Sequence, residues 1–241
     1  ALTARLLGTA SGRQYLSATI GEEFYLRPPR VTLPGLPLQR GPYGGIIAKL
    51  SLTAVRDWSA SGELQWNPQN SQAERAQASL QYRPGPGRVI NLAYRFERTT
   101  FELATLQQQA SIAALCGTAP ALVSGSSCGT KQVELSGAWP IGPHWSVFAR
   151  AVYSMLDHQA LERFVGFEYR SCCWSIRFGA RRYVALRPVG TTERTGTQVT
   201  GVYLQVELNG LASVGSAPDR FLSEAIPGYT SAEPNSLAAM P

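Results

Sequence analysis

The sequence is short of charge, and of lysine and histidine in particular. Acidic and basic residues make up 16% of its 241 residues, with a net charge of +6 and two histidines. Only Lys49 and Lys131 are lysines, so arginine supplies the other 20 of the 22 basic residues. Apart from Arg181 and Arg182 the arginines are scattered singly, without the basic run and interleaved aromatics of many nucleic-acid binders. We therefore expect no nucleic-acid partner.

Long apolar runs are also missing. The longest stretch without an acidic or basic residue, 103–130, is interrupted by glutamines, a proline, glycines and serines, so nothing predicts a membrane-spanning helix. Disorder is excluded for most of the chain, because 44% of the residues are hydrophobic and 10% aromatic. The 23 glycines and 16 prolines favour an all-β chain with many tight turns.

Patterns that carry catalysis are scarce. His144 and His158 lie in predicted turns, and neither adjoins a Gly-x-Ser-x-Gly elbow or has a second histidine beside it. The glycines of residues 84–87 lack the lysine and the strand–helix context of a phosphate loop, so they predict a hairpin turn. We expect no enzymatic activity, no cofactor and no metal site.

Apolar and polar residues alternate along most of the chain, which predicts about eleven antiparallel β-strands. In the last strand, apolar residues from Val202 to Leu208 alternate with polar ones from Tyr203 to Asn209. The longest predicted strands cover residues 46–56, 59–69, 73–83, 88–98, 145–156 and 197–209.

Three features favour a transmembrane β-barrel over a soluble sandwich. The strands reach the 9–11 residues that cross a bilayer when tilted, and aromatic residues recur near their ends. Short turns alternate strictly with the other connections, three of which are long, as outer-membrane barrels require.

An odd number of strands would place the two ends of the chain on opposite sides of the membrane. Either the count is wrong by one, or the chain is the C-terminal part of a larger barrel. The short turns are predicted at 8–13, 57–59, 84–87, 141–144 and 171–173.

The four cysteines form two pairs in the sequence. Cys172 and Cys173 are adjacent in a predicted short turn, where a bond between them would close a strained ring. Either each of them is joined to a distant cysteine, or both are inert thiols. Cys116 and Cys128 lie in the longest predicted loop, where a disulfide would contribute about 2–3 kcal/mol. The alternative there is an unpaired couple.

Several segments resemble one known family. Residues 163–174, Arg-Phe-Val-Gly-Phe-Glu-Tyr-Arg-Ser-Cys-Cys-Trp, resemble the vicinal-cysteine hairpin of the LPS-assembly protein LptD family, also called organic solvent tolerance protein. Residues 201–211 resemble the closing strand of that family, and residues 221–229 its periplasmic end. Residues 79–83 and 91–96 also fit, so the similarity extends over residues 3–229.

The resemblance implies a C-terminal part of an incomplete transmembrane barrel, with strands over 1–211 and a periplasmic tail over 212–241. The periplasmic jelly roll and the first half of the barrel would lie outside this sequence. The whole protein would receive lipopolysaccharide from a periplasmic LptA-type bridge and insert it into the outer leaflet of a Gram-negative outer membrane. An LptE-type lipoprotein would occupy the lumen, and the barrel-assembly machinery would be a further partner.

The resemblance also implies roles for individual residues. Cys172 and Cys173 would form disulfides with two cysteines of the N-terminal part. The last strand would close the barrel at a seam that opens laterally to release lipid. The apolar alternation of that strand resembles the signal recognised by the barrel-assembly machinery. The residues concerned are Gly201, Val202, Leu204, Val206 and Leu208.

Six arginines fall opposite most of the apolar stripes, and we expect them to point into the lumen, because a charge facing lipid costs about 2–4 kcal/mol at mid-bilayer. There they could pair with glutamates, hold the lumen lipoprotein or contact lipopolysaccharide phosphates, and these alternatives stay open. The arginines are Arg83, Arg95, Arg150, Arg170, Arg177 and Arg181, and the candidate glutamates are Glu97, Glu134, Glu168 and Glu207.

Two rival functions remain at this point. A diffusion porin or substrate-specific channel would share the strands and loops but has no use for adjacent cysteines. A soluble β-rich binding module would instead have short strands and no lipid-facing belt.

Overall fold

Twelve strands, each hydrogen-bonded to the next along the chain, form one antiparallel sheet in this computed structural model. The structure describes residues 1–9, 12–26, 43–53, 56–68, 71–100, 127–185, 198–208, 212–215 and 218–230. The elements are β1 Leu2–Leu7, β2 Gln14–Phe24, β3 Tyr43–Leu52, β4 Trp58–Asn67, β5 Gln72–Gly85, β6 Arg88–Thr100, β7 Ser127–Ile141, β8 Trp145–Ser154, β9 Gln159–Arg170, β10 Trp174–Val184, β11 Gln198–Leu208, β12 Ala212–Gly215 and the helix α1 Pro218–Ala225.

The all-β antiparallel fold expected from the sequence is confirmed. Eleven strands correspond to the predicted ones, and β12 adds a strand of four residues at one edge. Within the described ranges β1 pairs only with β2, and β12 only with β11, so the sheet is open at both edges. Such an open sheet is consistent with part of a larger barrel. No helix in the described part of the chain is long and apolar enough to cross a membrane.

The connections between strands follow the predicted alternation. One end of the sheet, the short-turn end, carries the connections at 8–13, 53–57, 86–87, 142–144, 171–173 and 209–211. The other end, the long-loop end, carries those at 25–42, 68–71, 101–126, 155–158 and 185–197. Tight turns at the first end use glycines with positive φ, such as Gly87 (69°) and Gly142 (80°), because most other residues are strained there.

The two faces of the sheet differ sharply in chemistry. On β11, alternate residues Val202, Leu204 and Val206 are 64%, 53% and 38% exposed, whereas Gln205 between them is 6% exposed. Neighbouring strands follow the same alternation because a strand presents successive side chains to opposite faces. We call the face that carries Leu204 the apolar face, and the face that carries Gln205 the covered face.

Helix α1 and the residues after it pack on the covered face. Leu222 and Ile226 are 2% and 0% exposed, and they belong to one cluster with Val89, Phe148 and Phe164 of the sheet. All these side chains are apolar, so their burial is the main hydrophobic stabilisation of the covered face. Val89 and Phe148 lie near the short-turn end, which places the helix there.

The segment around α1 crosses the sheet from β11 to β5. Phe221 stacks on Tyr203 of β11 with ring centroids 5.8 Å apart and meets Phe164 of β9 edge to face at 5.0 Å. Beyond the helix, the Pro227 carbonyl accepts hydrogen bonds from Asn91 Nδ2 (2.9 Å) and Gln81 Nε2 (3.0 Å). We call residues 218–229 the strap, because they link the last long strand to the middle of the sheet.

The Phe164 ring occupies a notch made by two glycines. Gly166 and Gly179 are cross-strand partners, and a Cβ built on them would lie 3.0 Å and 2.8 Å from ring atoms of Phe164. Their lack of a side chain therefore lets the ring lie flat against the backbone and meet Phe221 of the strap.

Replacing Ile226 with aspartate should release the strap, because a carboxylate cannot be buried without a partner in this apolar cluster. We expect trypsin to cleave after Arg220 at least about tenfold faster in the folded full-length protein. Intact mass measured after timed digestion reports the cleavage. Ile226→Val, which removes one methylene, is the control and should behave like the native chain; equal cleavage of both variants would contradict the packing.

Candidate functional site

The covered face holds two clusters of arginines and glutamates. The first, the Glu162 cluster, joins β7, β8, β9 and β10. Arg150 donates from Nε to Glu134 (2.9 Å) and from Nη1 to Glu162 (2.6 Å). Arg181 Nε donates to the other oxygen of Glu162 at 2.7 Å. Glu162 is 8% exposed, so this carboxylate neutralises two arginines in a site largely closed to water.

The second, the Glu168 cluster, lies nearer the short-turn end. Glu168 is 2% exposed and accepts hydrogen bonds from Arg170 Nη2 at 2.5 Å and from Arg177 Nη2 at 3.4 Å. Arg177, 5% exposed, also reaches Glu207 of β11 at 3.3 Å. The cluster therefore ties β9, β10 and β11 together through charged hydrogen bonds.

Both clusters are electrically balanced. Each contains two arginines and two glutamates, so neither offers a net positive charge to an anion. Buried charges are tolerated when they are paired and hydrogen-bonded, and breaking such a set leaves an uncompensated charge. The geometry thus favours ion pairing, the first of the three roles that the sequence left open, for Arg150, Arg170, Arg177 and Arg181.

The remaining two candidate arginines differ from these four. Arg83 and Arg95 are exposed, and neither forms an ion pair with a carboxylate in the described ranges. Arg95 lies on β6, where Gln77 and Gln132 are its cross-strand partners. Of the six arginines, these two keep a charge that no described carboxylate neutralises.

The adjacent cysteines lie together in the turn between β9 and β10. Both are exposed, and their Sγ atoms are 2.9 Å apart, a contact between thiols that is longer than the ~2.05 Å of a disulfide bond. The turn begins where Ser171 donates from its backbone nitrogen to the Trp174 carbonyl at 2.8 Å. Both thiols are therefore accessible at the short-turn end.

The contact makes the two thiols unequal. A hydrogen bond from Cys173 holds the pKa of Cys172 below its ordinary value, whereas the same contact raises the pKa of Cys173. Since the thiolate is the nucleophile in disulfide exchange, we expect Cys172 to react faster than Cys173 at neutral pH.

The second predicted disulfide falls outside the described residues. Cys116 lies in a range that the structure does not describe, and of Cys128 only the backbone is described, within β7 opposite Thr99. The bridge between them therefore stays a prediction.

The predicted closing-strand residues all lie on β11. Val202, Leu204, Val206 and Leu208 are on the apolar face, and Gly201 is on the covered face beside Tyr203. β12 pairs with residues 205–208 of this strand, from Gln205 opposite Gly215 to Leu208 opposite Ala212. Residues 198–204 are paired to β10 alone within the described ranges.

Two features of the site were not anticipated from the sequence. Glu162 is the centre of its cluster, yet it is not among the glutamates predicted as partners of the arginines. The strap was missed because its signal is helical: Pro218 opens it, and apolar residues follow at 221, 222, 225 and 226.

The family model described as LPS transport system D, LptD, matches residues 1–145 of the chain. The chain belongs to the LptD family.

Individual LptD relatives match nearly the whole chain. The LPS-assembly protein LptD of Nitrosococcus oceani is 32% identical over 229 residues, which cover 95% of this chain and 26% of the relative. The LPS-assembly protein LptD of Thiobacillus denitrificans is also 32% identical, and the match covers 26% of its length. That of Aromatoleum aromaticum is 30% identical, and the match covers 24% of its length. The chain therefore spans about a quarter of the length of the curated relatives it matches.

Glu162→Gln should destabilise the sheet, because Arg150 and Arg181 would lose the carboxylate they share. We expect the free energy of unfolding to fall by about 2–4 kcal/mol, measured by guanidinium titration of tryptophan fluorescence in detergent. Glu63→Gln is the matched control, since the Lys49–Glu63 pair is 57% and 36% exposed and should contribute less than about 1 kcal/mol. Equal effects of the two substitutions would contradict the role of the cluster.

In the reduced full-length protein, iodoacetamide should label Cys172 faster than Cys173 at neutral pH, because the lowered pKa of Cys172 leaves more thiolate. The difference should shrink as the pH rises above both pKa values. Peptide mass spectrometry after timed labelling measures both sites. Faster labelling of Cys173 would contradict the assignment of the lower pKa to Cys172.

Proposed function

We propose that this chain is the C-terminal part of the barrel of an outer-membrane translocon that inserts lipopolysaccharide into the outer leaflet. Family membership carries this proposal: the LptD model matches residues 1–145, and relatives named LPS-assembly protein cover 95% of the chain. Because the chain spans about a quarter of those relatives, the activity belongs to a longer protein that includes it.

The two faces and two ends of the sheet support an orientation in the membrane. The apolar face, with Leu204 and its neighbours, would contact lipid, and the covered face would line the lumen. Outer-membrane barrels have short periplasmic turns and longer outside loops. The short-turn end, with the cysteines and the strap, would then face the periplasm of a Gram-negative cell.

Arg83 and Arg95 are the arginines best suited to a partner in the lumen, because the other four are neutralised by glutamates. A lipoprotein of the LptE type, or the phosphates of passing lipopolysaccharide, would supply the opposite charge. This restricts the contact region to β5 and β6, next to β7, which contributes Glu134 to the Glu162 cluster.

Cys172 and Cys173 would join this barrel part to cysteines in an upstream periplasmic domain, where an LptA-type bridge would deliver the lipid. Their exposure at the short-turn end supports this arrangement, since both thiols are accessible to a domain docked there. Cys172, with the lower pKa, would react first.

The edge of β11 would form one side of the seam through which lipid leaves. β12 covers residues 205–208, which leaves the part of the edge nearer the outside for the first strand of the whole barrel. A short seam with few backbone hydrogen bonds opens more easily than a long one. The apolar residues of this strand would also present the signal for the barrel-assembly machinery. The relatives give no support to the alternative function, a diffusion porin or substrate-specific channel.

The proposal is tested in cells that depend on the full-length protein. Depleting it should leave newly made lipopolysaccharide in the inner membrane, measured by pulse labelling and separation of the two membranes. The native gene should restore delivery. Cys172→Ser with Cys173→Ser should restore it poorly and shift the mobility of the protein on non-reducing gels. Ser171→Ala, in the same turn, is the control and should restore delivery fully.

Each outcome bears on a different part of the proposal. Normal delivery after depletion would rule out the transport function, and ion conductance of the purified protein in planar bilayers would then favour a channel. Normal delivery and unchanged mobility in the double serine variant would rule out only the disulfide link.

A further inference from the structure

Two arginines interrupt the apolar face at the long-loop end. Between β8 and β11 this face carries only two charged residues, Arg163 and Arg182, and they are directly opposite each other on β9 and β10. Both are exposed. Like charges on opposing strand positions repel each other, so an arrangement of this kind calls for an anion between them.

Neither arginine is neutralised by a carboxylate of the described part of the chain. Within the described ranges no carboxylate forms an ion pair with Arg163 or Arg182, in contrast to Arg181, which pairs with Glu162 on the covered face. The contact that Arg182 makes is with the side-chain oxygen of Gln198, the first residue of β11. Thr200 is the cross-strand neighbour of Arg182 on the same face and adds a hydroxyl.

The arginines line a cavity of a size that suits a small anionic group. It has a volume of about 150 Å³ and is lined by Arg163, Arg182 and Gln198, together with residues of β9 and β10. Two guanidinium groups with several N–H donors each are well suited to bind a phosphate, whose oxygens accept charged hydrogen bonds.

An apolar groove begins at the same place and continues along the apolar face. Arg163 also lines this groove, whose volume is about 460 Å³. Small residues form its floor, including Gly137, Ala149 and Ala151, and Leu135 and Val165 flank it. From Val147 to Ala151 the groove follows β8 for about 13 Å, which suits an acyl chain.

The height of the site matches the outer leaflet. Arg163 lies four residues from the long-loop end of β9, and Arg182 two residues from that of β10. At about 3.3 Å per residue these positions are within about 13 Å and 7 Å of the strand ends. Long arginine side chains at this depth reach the headgroup region while their stems stay in the apolar layer.

We propose that Arg163 and Arg182 bind a phosphate of a phosphorylated, multiply acylated glycolipid on the outer wall of the barrel, with one acyl chain in the adjoining groove. This inference rests on the proposed function, which makes lipopolysaccharide the lipid at hand. The site adjoins β11 through Gln198, so it would hold the lipid beside the strand where it leaves the barrel.

The test uses the full-length protein, purified in detergent and delipidated. Native mass spectrometry measures retention of three probes: bisphosphorylated lipid A, dephosphorylated lipid A and phosphatidylglycerol. The native protein should retain bisphosphorylated lipid A and bind the other two more weakly. Arg163→Gln with Arg182→Gln should bind bisphosphorylated lipid A about tenfold more weakly, as expected for the loss of charged hydrogen bonds.

Arg88→Gln is the matched control. Arg88 lies on the same face at the opposite end, 5.7 Å from the centroid of the Trp139 ring, and its removal should leave lipid A binding unchanged. Heat-modifiable gel mobility shows whether each variant is folded. If the double variant does not fold, the single variants Arg163→Gln and Arg182→Gln are compared, and each should bind more weakly than the control.

Equal retention of bisphosphorylated lipid A by the native protein and the arginine variants would overturn the site. So would equal binding of phosphatidylglycerol and lipid A by the native protein, because the site would then not distinguish the glycolipid. Delivery of lipopolysaccharide in cells, measured separately, reports on the proposed function. A protein that delivers the lipid but binds it independently of these arginines would remove the site and leave the function intact.

Discussion

The ladder of backbone hydrogen bonds between neighbouring strands governs this structure. A strand in the interior of such a sheet presents every second side chain to the same face, so polarity must alternate along it. In a bilayer the ladder must also satisfy every backbone donor and acceptor, because lipid tails offer no hydrogen-bond partners. The apolar face of β7 to β11 follows this rule nearly throughout, and all the buried charges are concentrated on the other face.

That concentration of charge explains the covered face. With Arg150, Arg170, Arg177 and Arg181 on the same side of three adjacent strands, their mutual repulsion would destabilise the sheet unless carboxylates separated them. Glu162 and Glu168 each lie between two arginines, and both are almost inaccessible to water. The apolar strap occupies the adjoining part of this face, where the sheet offers Val89, Phe148 and Phe164 in place of charge.

The sequence predicted what depends on short-range pattern. Strands and turns were found because the alternation around Leu204 and the glycines near 85–87 act locally, and the family was recognisable from Cys172 and Cys173. The partners of the arginines were only partly predictable. Which carboxylate meets Arg150 and Arg181 depends on the register between β8, β9 and β10, and the alternation within one strand does not specify that register. The helix of the strap depends on contacts with strands more than fifty residues away.

The strap also bears on the order in which the chain can fold. Pro227 bonds to Asn91 and Gln81, which precede it by 136 and 146 residues, so these are among the longest-range contacts in the molecule. Closing such a span costs chain entropy that is recovered only when the intervening strands are already aligned. The strap thus settles against strands made much earlier, and its docking follows the alignment of the strands between them.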